Sequence, residues 1–307
     1  MKKKYAPIIV FTYKRSVHLK KLINSLKNNK LSKKSNLIIF SDGPKNNNNL
    51  EIESIEKVRY FLKKISGFKS IKIYQRSTNY GLSKNIINGL DTVFKKFPYA
   101  IILEDDLVVD SFFLEYMNEG LNIFKNNASV ASVHGYTYPI KFKKKISNYY
   151  FIKGADCWGW ATWKRAWKIF ESDGNKLKKI IDTKKQKKEF NFNNSFNYYD
   201  MLVSQIKKKN NSWAIRWYAS AFVRDMLTLY PNISHVKNIG MDHTGTHGAG
   251  FKKNYTSKLA RKKYTKIDQM MPIKENLDAK RQMIKYFKSS SDIYLIKILK
   301  KIYYLFR

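Results

Sequence analysis

Over the first 135 positions, short apolar runs alternate with stripes of apolar residues at helical spacing. Pro7-Ile8-Ile9-Val10-Phe11-Thr12 is apolar at successive positions, which predicts a strand buried on both faces. Val17, Leu19, Leu22, Ile23 and Leu26 follow on one helical face. Leu37-Ile38-Ile39-Phe40 predicts a second strand, stopped by the turn residues Ser41-Asp42-Gly43-Pro44. Asn46 to Asn49 reads as a loop, and Ile52, Ile55, Val58 and Leu62 as the next helix. Ile71 to Tyr74 predicts a third strand, with Ile86, Ile87, Leu90 and Phe94 as the helix behind it. Ala100 to Leu103 predicts a fourth strand, Phe112, Phe113, Tyr116 and Leu121 a helix, and Val130 to Val133 a fifth strand. Four strand-then-helix units in series predict an α/β fold, a mainly parallel sheet with helices on both faces.

The alternation fades after Tyr136. Lys141 to Ile146 reads as a basic loop or hairpin, followed by a Trp-rich block from Trp158 to Trp167. Phe196 to Lys209 and Ala219 to Leu227 look helical. At the end, Leu295, Ile298, Leu299, Ile302 and Phe306 share one face of an amphipathic helix over Asp292 to Arg307, with Lys297, Lys300, Lys301 and Arg307 on the other. This helix reads either as lying on an anionic membrane surface or as packed on the core with a solvated face.

Charge changes the picture only partly. Sixty basic against 23 acidic residues give a net charge of +37, a field that favours anionic partners. The excess is mostly Lys, accompanied by abundant Asn, Ile and Tyr and scattered along the chain, so compositional drift accounts for most of it. No basic arm or recognition helix stands out, and no specific nucleic-acid partner is expected. The single Cys157 excludes an internal disulfide framework. No apolar run reaches membrane-spanning length, and the apolar stretch after Met1-Lys2-Lys3-Lys4-Tyr5 is short for a secretory leader. A cytoplasmic protein is expected, with the tail as a peripheral contact to the inner membrane face.

The chemistry concentrates at Ile101-Ile102-Leu103-Glu104-Asp105-Asp106-Leu107, where an apolar strand runs into three carboxylates. A parallel sheet presents ligands at this carboxyl edge. Strand alternation would send Glu104 and Asp106 one way and Asp105 the other. Clustered carboxylates repel unless a cation compensates, and oxygen ligands suit Mg²⁺ or Mn²⁺. A solvated acidic cap on the following helix needs one acid, not three.

This triplet, with Phe112-Phe113 behind it, resembles the metal-binding signature of GT-A fold nucleotide-diphospho-sugar glycosyltransferases, and specifically the N-acetylglucosaminyltransferase I type and its bacterial relatives. The likeness extends to Arg15 after the first strand, Ser41-Asp42-Gly43 after the second, Arg76-Ser77-Thr78-Asn79-Tyr80-Gly81-Leu82 after the third, and Tyr199-Asp200-Met201-Leu202. It runs in order from about Ala6 to Gly248, more loosely in the second half. The resemblance implies a nucleotide-sugar-binding half over 1–135, an acceptor-binding half of the same domain over 136–250, and a basic helical extension over 251–307.

It also implies roles. Thr12, Arg15, Asp42, Arg76 and Asn79 would line the nucleotide site, Glu104 and Asp105 would contact sugar and ribose, and Asp106 would ligate the metal. Asp42 can accept the imide N–H of uracil and Arg15 offers a planar donor fork, although Asp42 also reads as a turn residue and Arg15 and Arg76 as surface cations. Asp200 is the candidate base, with Asp156, Asp225 and Asp242 as rivals. Trp158 and Trp160 read either as sugar contacts, with Gly159 allowing close approach, or as core. His243 and His247 lie in the Gly-rich stretch Met241 to Gly248. His243 is a candidate for the metal shell and His247 for sugar or diphosphate, the alternative being solvated loop histidines.

The expected activity is transfer of a sugar, with inversion, from a nucleotide-sugar, with UDP favoured, to a saccharide or glycolipid in bacterial surface polysaccharide or lipopolysaccharide synthesis. A nucleotidyltransferase would want a glycine-rich loop after the first strand, and Phe11 to Arg15 has no glycine. A non-enzymatic basic binder of nucleic acid or membrane would fit the charge but not the three acids.

Overall fold

The computed structural model describes residues 4–45, 48–140, 142, 147–242, 257, 259 and 264–289. Its centre is an eight-stranded mixed sheet in the order β3-β2-β1-β4-β8-β6-β9-β7. The strands are β1 (Ile8–Thr12), β2 (Asn36–Ser41), β3 (Ser70–Gln75), β4 (Tyr99–Glu104), β5 (Leu107–Val109), β6 (Val130–His134), β7 (Tyr149–Lys153), β8 (Trp160–Trp163), β9 (Leu227–Pro231) and β10 (Val236–Asn238). β5 and β10 form a separate antiparallel pair. The helices are α1 (Ser16–Lys27), α2 (Asn49–Leu62), α3 (Gly81–Phe94), α4 (Phe113–Ile123), α5 (Lys164–Trp167), α6 (Gly174–Ile181), α7 (Lys184–Phe190), α8 (Tyr198–Ile206) and α9 (Trp213–Phe222).

Every residue of β1 is buried, as a central strand covered by helices on both faces requires. α1 buries Leu19, Leu22, Ile23 and Leu26 as its spacing predicts, whereas Val17 is 58% exposed. α3 rests so closely on the sheet that a Cβ at Gly89 would meet the Phe11 ring at 2.6 Å, and this fixes a glycine in mid-helix. Asn48 caps α2 by accepting from the N–H groups of Leu50 and Glu51.

β1, β2, β3 and β4 are parallel neighbours. β8 enters antiparallel between β4 and β6, so the predicted fifth strand is not adjacent to the fourth. The Trp-rich block supplies this strand and the short α5. Trp160 is fully buried, its ring centroid 5.6 Å from that of Trp213 and 5.5 Å from that of Trp217. It is core, and its reading as a sugar contact is corrected. We expect Trp160→Phe to cost about 2 kcal/mol in denaturant unfolding, less than the ~3–5 of truncation to Ala, without altering nucleotide binding.

The second predicted helix in this half is shifted as well. α9 starts at Trp213, and Leu227 already belongs to β9. The part of 251–307 that is described does not stand off as an extension: Ile267, Ala279, Met283 and Phe287 are buried, and Phe287 meets Tyr138, Phe192 and Phe196. The Asp292 to Arg307 helix, His243, His247 and most of the Lys141 to Ile146 loop lie outside the described residues.

Candidate active site

Strand register brings the chemistry to one edge. Thr12 is level with Ser41, Ser41 with Gln75, and Phe11 with Glu104. The pairing continues one residue further, through Asp42 N–H to Thr12 O, Arg76 N–H to Ser41 O and Asp105 N–H to Phe11 O, at 2.9, 2.9 and 3.0 Å. The connection order reverses between β1 and β4, so the crevice outside their carboxyl ends is the switch point where α/β sheets take ligands.

β4 ends at Glu104, and the chain turns through Asp105 and Asp106. The predicted alternation therefore stops one residue early. Arg15 Nη2 reaches both turn acids, 2.6 Å from Asp105 Oδ1 and 3.0 Å from Asp106 Oδ2. Asp105 is 3% exposed, and its Oδ2 accepts from Thr12 Oγ1 at 2.9 Å and Tyr13 N–H at 3.2 Å. Its oxygens hold the β1–α1 turn, so the expectation that Asp105 contacts sugar or ribose is corrected to a positioning role. Thr12 is likewise committed inward, and Arg15 sits at the acidic turn, away from the base-binding role expected of it.

Asp42 is also occupied. Oδ1 accepts from the N–H groups of Gly43 and Tyr80, and Oδ2 from Gly81 N–H and Asn79 Nδ2, at 2.8–3.2 Å. These four donors take up the acceptor capacity of a carboxylate, so Asp42 clasps the turn before α3. Gly81 opens that helix at φ +70°, which favours glycine. Asn79 donates onward to Gly43 O, and Arg76 donates to Asn88 Oδ1 at 2.6 Å with its guanidinium over the Tyr80 ring. These residues build the rim of the crevice. Beside it, Lys14, Arg15, His18, Asn48 and Glu51 line an open groove of about 600 Å³.

Two acids remain turned toward the crevice. Glu104 is partly buried, and burial, then the charges of Asp106 and Asp105, push its carboxyl up to about 8 against the pull of Arg15. Asp105 is raised in the same way by burial, opposed by Arg15. Asp106 keeps 17% of its side chain exposed. The segment after β10 closes against it: Ile239 N–H donates to Asp106 O at 2.8 Å, and a Cβ at Gly240 would overlap the Asp106 carboxylate. Asp242 approaches His18 Nε2 at 3.0 Å. Sequence reasoning missed this contact, because nothing in Ile239-Gly240 marks them as neighbours of a strand 130 or so positions earlier.

Asp105 and Asp106 share the one guanidinium of Arg15 with the protonated Glu104 beside them, and this acidic excess suits a divalent cation. Among the described residues no three His, Cys, Asp or Glu side chains form a metal cage. The carboxylate oxygens at this edge are of the kind that a Mg²⁺-type cation takes together with diphosphate and water oxygens.

Because folded Glu104 keeps its proton to about pH 8 and an unfolded glutamate loses it near 4.5, its contribution is full below about pH 4.5. That contribution is lost as pH rises toward 8. In EDTA, we expect wild-type thermal stability to fall across this window more steeply than that of Glu104→Gln. Mn²⁺ affinity should rise across the same window. Parallel melting curves for the two proteins would contradict this.

On the acceptor side, Trp158 is partly exposed with its ring 4.8 Å from Tyr136. Gly159 is packed against Val236 and Leu103, so its close approach is to protein and the ligand reading is corrected. Asp200 is exposed in the first turn of α8, and no hydrogen bond or ion pair among the described residues joins it to the acidic turn. Asp225 pairs with Lys153 at 2.5 Å. Asp156, in the loop between β7 and β8, is considered below.

Among solved structures, the chain is similar to S. aureus TarS, at 18% identity and a TM-score of 0.30, over 46% of this chain and 24% of that one. It is also similar to the mannosyltransferase PcManGT from Pyrobaculum calidifontis, solved in complex with GDP-Man and Mn²⁺, at 11% identity and a TM-score of 0.32, over 44% of this chain and 37% of that one. The chain thus spans well under half the length of either. No curated protein matches it significantly. The model of the GNT-I family matches residues 1–148, the stretch that contains β1 to β6 and the whole acidic edge. Over that stretch, just under half of the chain, it is similar to the GNT-I family.

Proposed function

We propose that this protein transfers a sugar from a nucleotide-sugar, with UDP as the favoured nucleotide, to a hydroxyl of a saccharide or lipid-linked saccharide, with inversion at the anomeric carbon. The observation that supports this most directly is the acidic turn at the end of β4, set beside the exits of β1, β2 and β3 in the half similar to the GNT-I family.

In this reading the donor diphosphate lies over the crevice, with Asp106 ligating Mn²⁺ or Mg²⁺ and Glu104 facing the sugar hydroxyls. Arg15, held by Asp105 and Asp106, adds fixed positive charge. A bound cation would offset charge growing on the leaving diphosphate. Asp200 accepts the proton of the attacking hydroxyl, as the resemblance implies. Arg76 and Asn79 shape the base end of the site. His243 contributes to the metal shell, and His247 and Trp158 contribute to sugar contact.

Net charge of +37 would draw an anionic glycolipid precursor of a capsule or lipopolysaccharide, and the tail beyond Ser289 would rest on the cytoplasmic membrane face. Among the described residues no helix is long and apolar enough to cross a membrane. Incubating the protein with a panel of nucleotide-sugars and Mn²⁺ and detecting nucleoside diphosphate release tests the reading. Release of pyrophosphate from a nucleoside triphosphate instead would favour a nucleotidyltransferase.

A further inference from the structure

The buried residue least satisfied by the mechanism above is His134, the last residue of β6. It is 0% exposed, and neither ring nitrogen has a hydrogen-bond partner among the described residues. A buried imidazole in that state needs an explanation. Its nearest polar atom is Asp156 Oδ2, 3.6 Å from Nε2. Two tyrosine hydroxyls point at the same oxygen: Tyr138 at 3.3 Å and Tyr230 at 3.4 Å. Asp156 Oδ1 is held by the N–H of Cys157 at 2.7 Å, and 22% of the side chain remains exposed.

The loop that carries Asp156 is fixed at both ends. Gly154 has φ +97°, and a Cβ there would overlap the Tyr218 ring. Gly159 has φ +67°. Register places the loop. β8 runs antiparallel to β4 with Trp160 opposite Ile102, and Gly135 N–H donates to Gly159 O at 2.7 Å. Residues before Trp160 therefore cross the same carboxyl edge at which Glu104 stands. The electrostatics agree, since after burial the charges of Asp156, Glu104 and Asp106 all push the Cys157 thiol up.

Among the described residues only long contacts, 3.3–3.6 Å, reach Oδ2, and no cation serves it: burial holds His134 below the ordinary imidazole range despite the pull of Asp156. A carboxylate bonded loosely by aromatic groups at the mouth of a crevice has acceptor capacity to spare. Such a group suits a sugar hydroxyl, whose ring C–H faces would lie against the surrounding aromatic rings.

We propose that Asp156, braced by His134, Tyr138 and Tyr230, anchors a hydroxyl of the acceptor pyranose beside the acidic edge. This rests on the transferase reading and adds a binding residue to it. Asp200 keeps the proton transfer, and His134 is a positioning residue that acts through Asp156.

The test is saturation-transfer NMR titration of methyl glucoside, galactoside, mannoside and N-acetylglucosaminide, with UDP stabilisation in Mn²⁺ measured on the same samples. Wild type should bind at least one pyranoside, and Asp156→Asn should bind it about tenfold or more weakly, with UDP stabilisation unchanged. His134→Phe keeps a ring and removes the two unpartnered nitrogens. It should be at least as stable as wild type yet bind the pyranoside several-fold more weakly, an outcome no purely structural role predicts.

Equal pyranoside binding by Asp156→Asn, or none by wild type at tens of millimolar, overturns the proposal. Weaker binding of UDP-hexose relative to UDP in Asp156→Asn, with pyranosides unaffected, overturns the acceptor assignment in favour of the donor sugar. Pyranoside binding that depends on Asp156, without any nucleotide effect, sinks the transferase reading but leaves the subsite.

Discussion

Asp106→Asn is expected to abolish metal-dependent nucleotide binding and to lower turnover by about 10³-fold or more, with the fold intact. The side chain is partly exposed and keeps its shape in the variant, so packing is preserved. Arg15 retains its 2.6 Å partner Asp105, and no guanidinium is left without a counter-charge. What is lost is the anionic oxygen turned toward the crevice. Asn offers a neutral carbonyl in its place, which cannot offset a divalent charge. Melting temperature in EDTA should match wild type within about a degree or two, since Asn keeps the shape of the side chain and Arg15 keeps Asp105 as its partner. Binding and turnover that survive unchanged would remove Asp106 from the site. Asp105→Asn should behave differently. Asp105 serves Thr12, Tyr13 and Arg15 together, so its loss should lower stability as well as binding.

The second large effect is expected at Asp200. If it takes the proton from the acceptor hydroxyl, Asp200→Asn should reduce turnover by about 10²–10⁴-fold. Nucleotide stabilisation in Mn²⁺ should stay at the wild-type level, because no hydrogen bond or ion pair among the described residues joins Asp200 to the acidic turn. Stability should change by no more than about 0.5 kcal/mol, a little of it from losing an acid in the first turn of a helix. Full transfer activity in this variant would eliminate Asp200 and make Asp156 the acceptor-side acid to examine next. Loss of nucleotide binding together with activity would instead mean that α8 helps to shape the donor site.

Legibility in the sequence followed physical simplicity. β1, β2 and β4 were readable because a central parallel strand is apolar over successive positions, β3 because an edge strand alternates, and each covering helix because it repeats at 3.6. The register that aligns Thr12, Ser41 and Gln75, with Glu104 level with Phe11, follows from that regularity, and so does the shared edge. Side-chain direction beyond the strand ends did not follow. Asp42 and Asp105 have the composition of ligand residues, yet backbone N–H groups at turns compete for the same oxygens and hold them inward.

Alternation failed for the triplet because β4 stops at Glu104. In the second half, Trp160 to Trp163 and Leu227 to Pro231 are strands buried on both sides, with no periodicity to separate them from helix or core. Contacts such as Gly240 on Asp106 and His134 on Asp156 join distant positions, so no local pattern records them.

The central claim is that the acidic edge binds a nucleotide through a divalent cation. Its most direct test is thermal stabilisation of the full chain by UDP, GDP and CMP, each with Mn²⁺ and with EDTA. We expect UDP to raise the melting temperature in Mn²⁺ and not in EDTA, because only the folded state assembles the crevice that holds both. No rise with any nucleotide in Mn²⁺, or an equal rise in EDTA, would contradict the account.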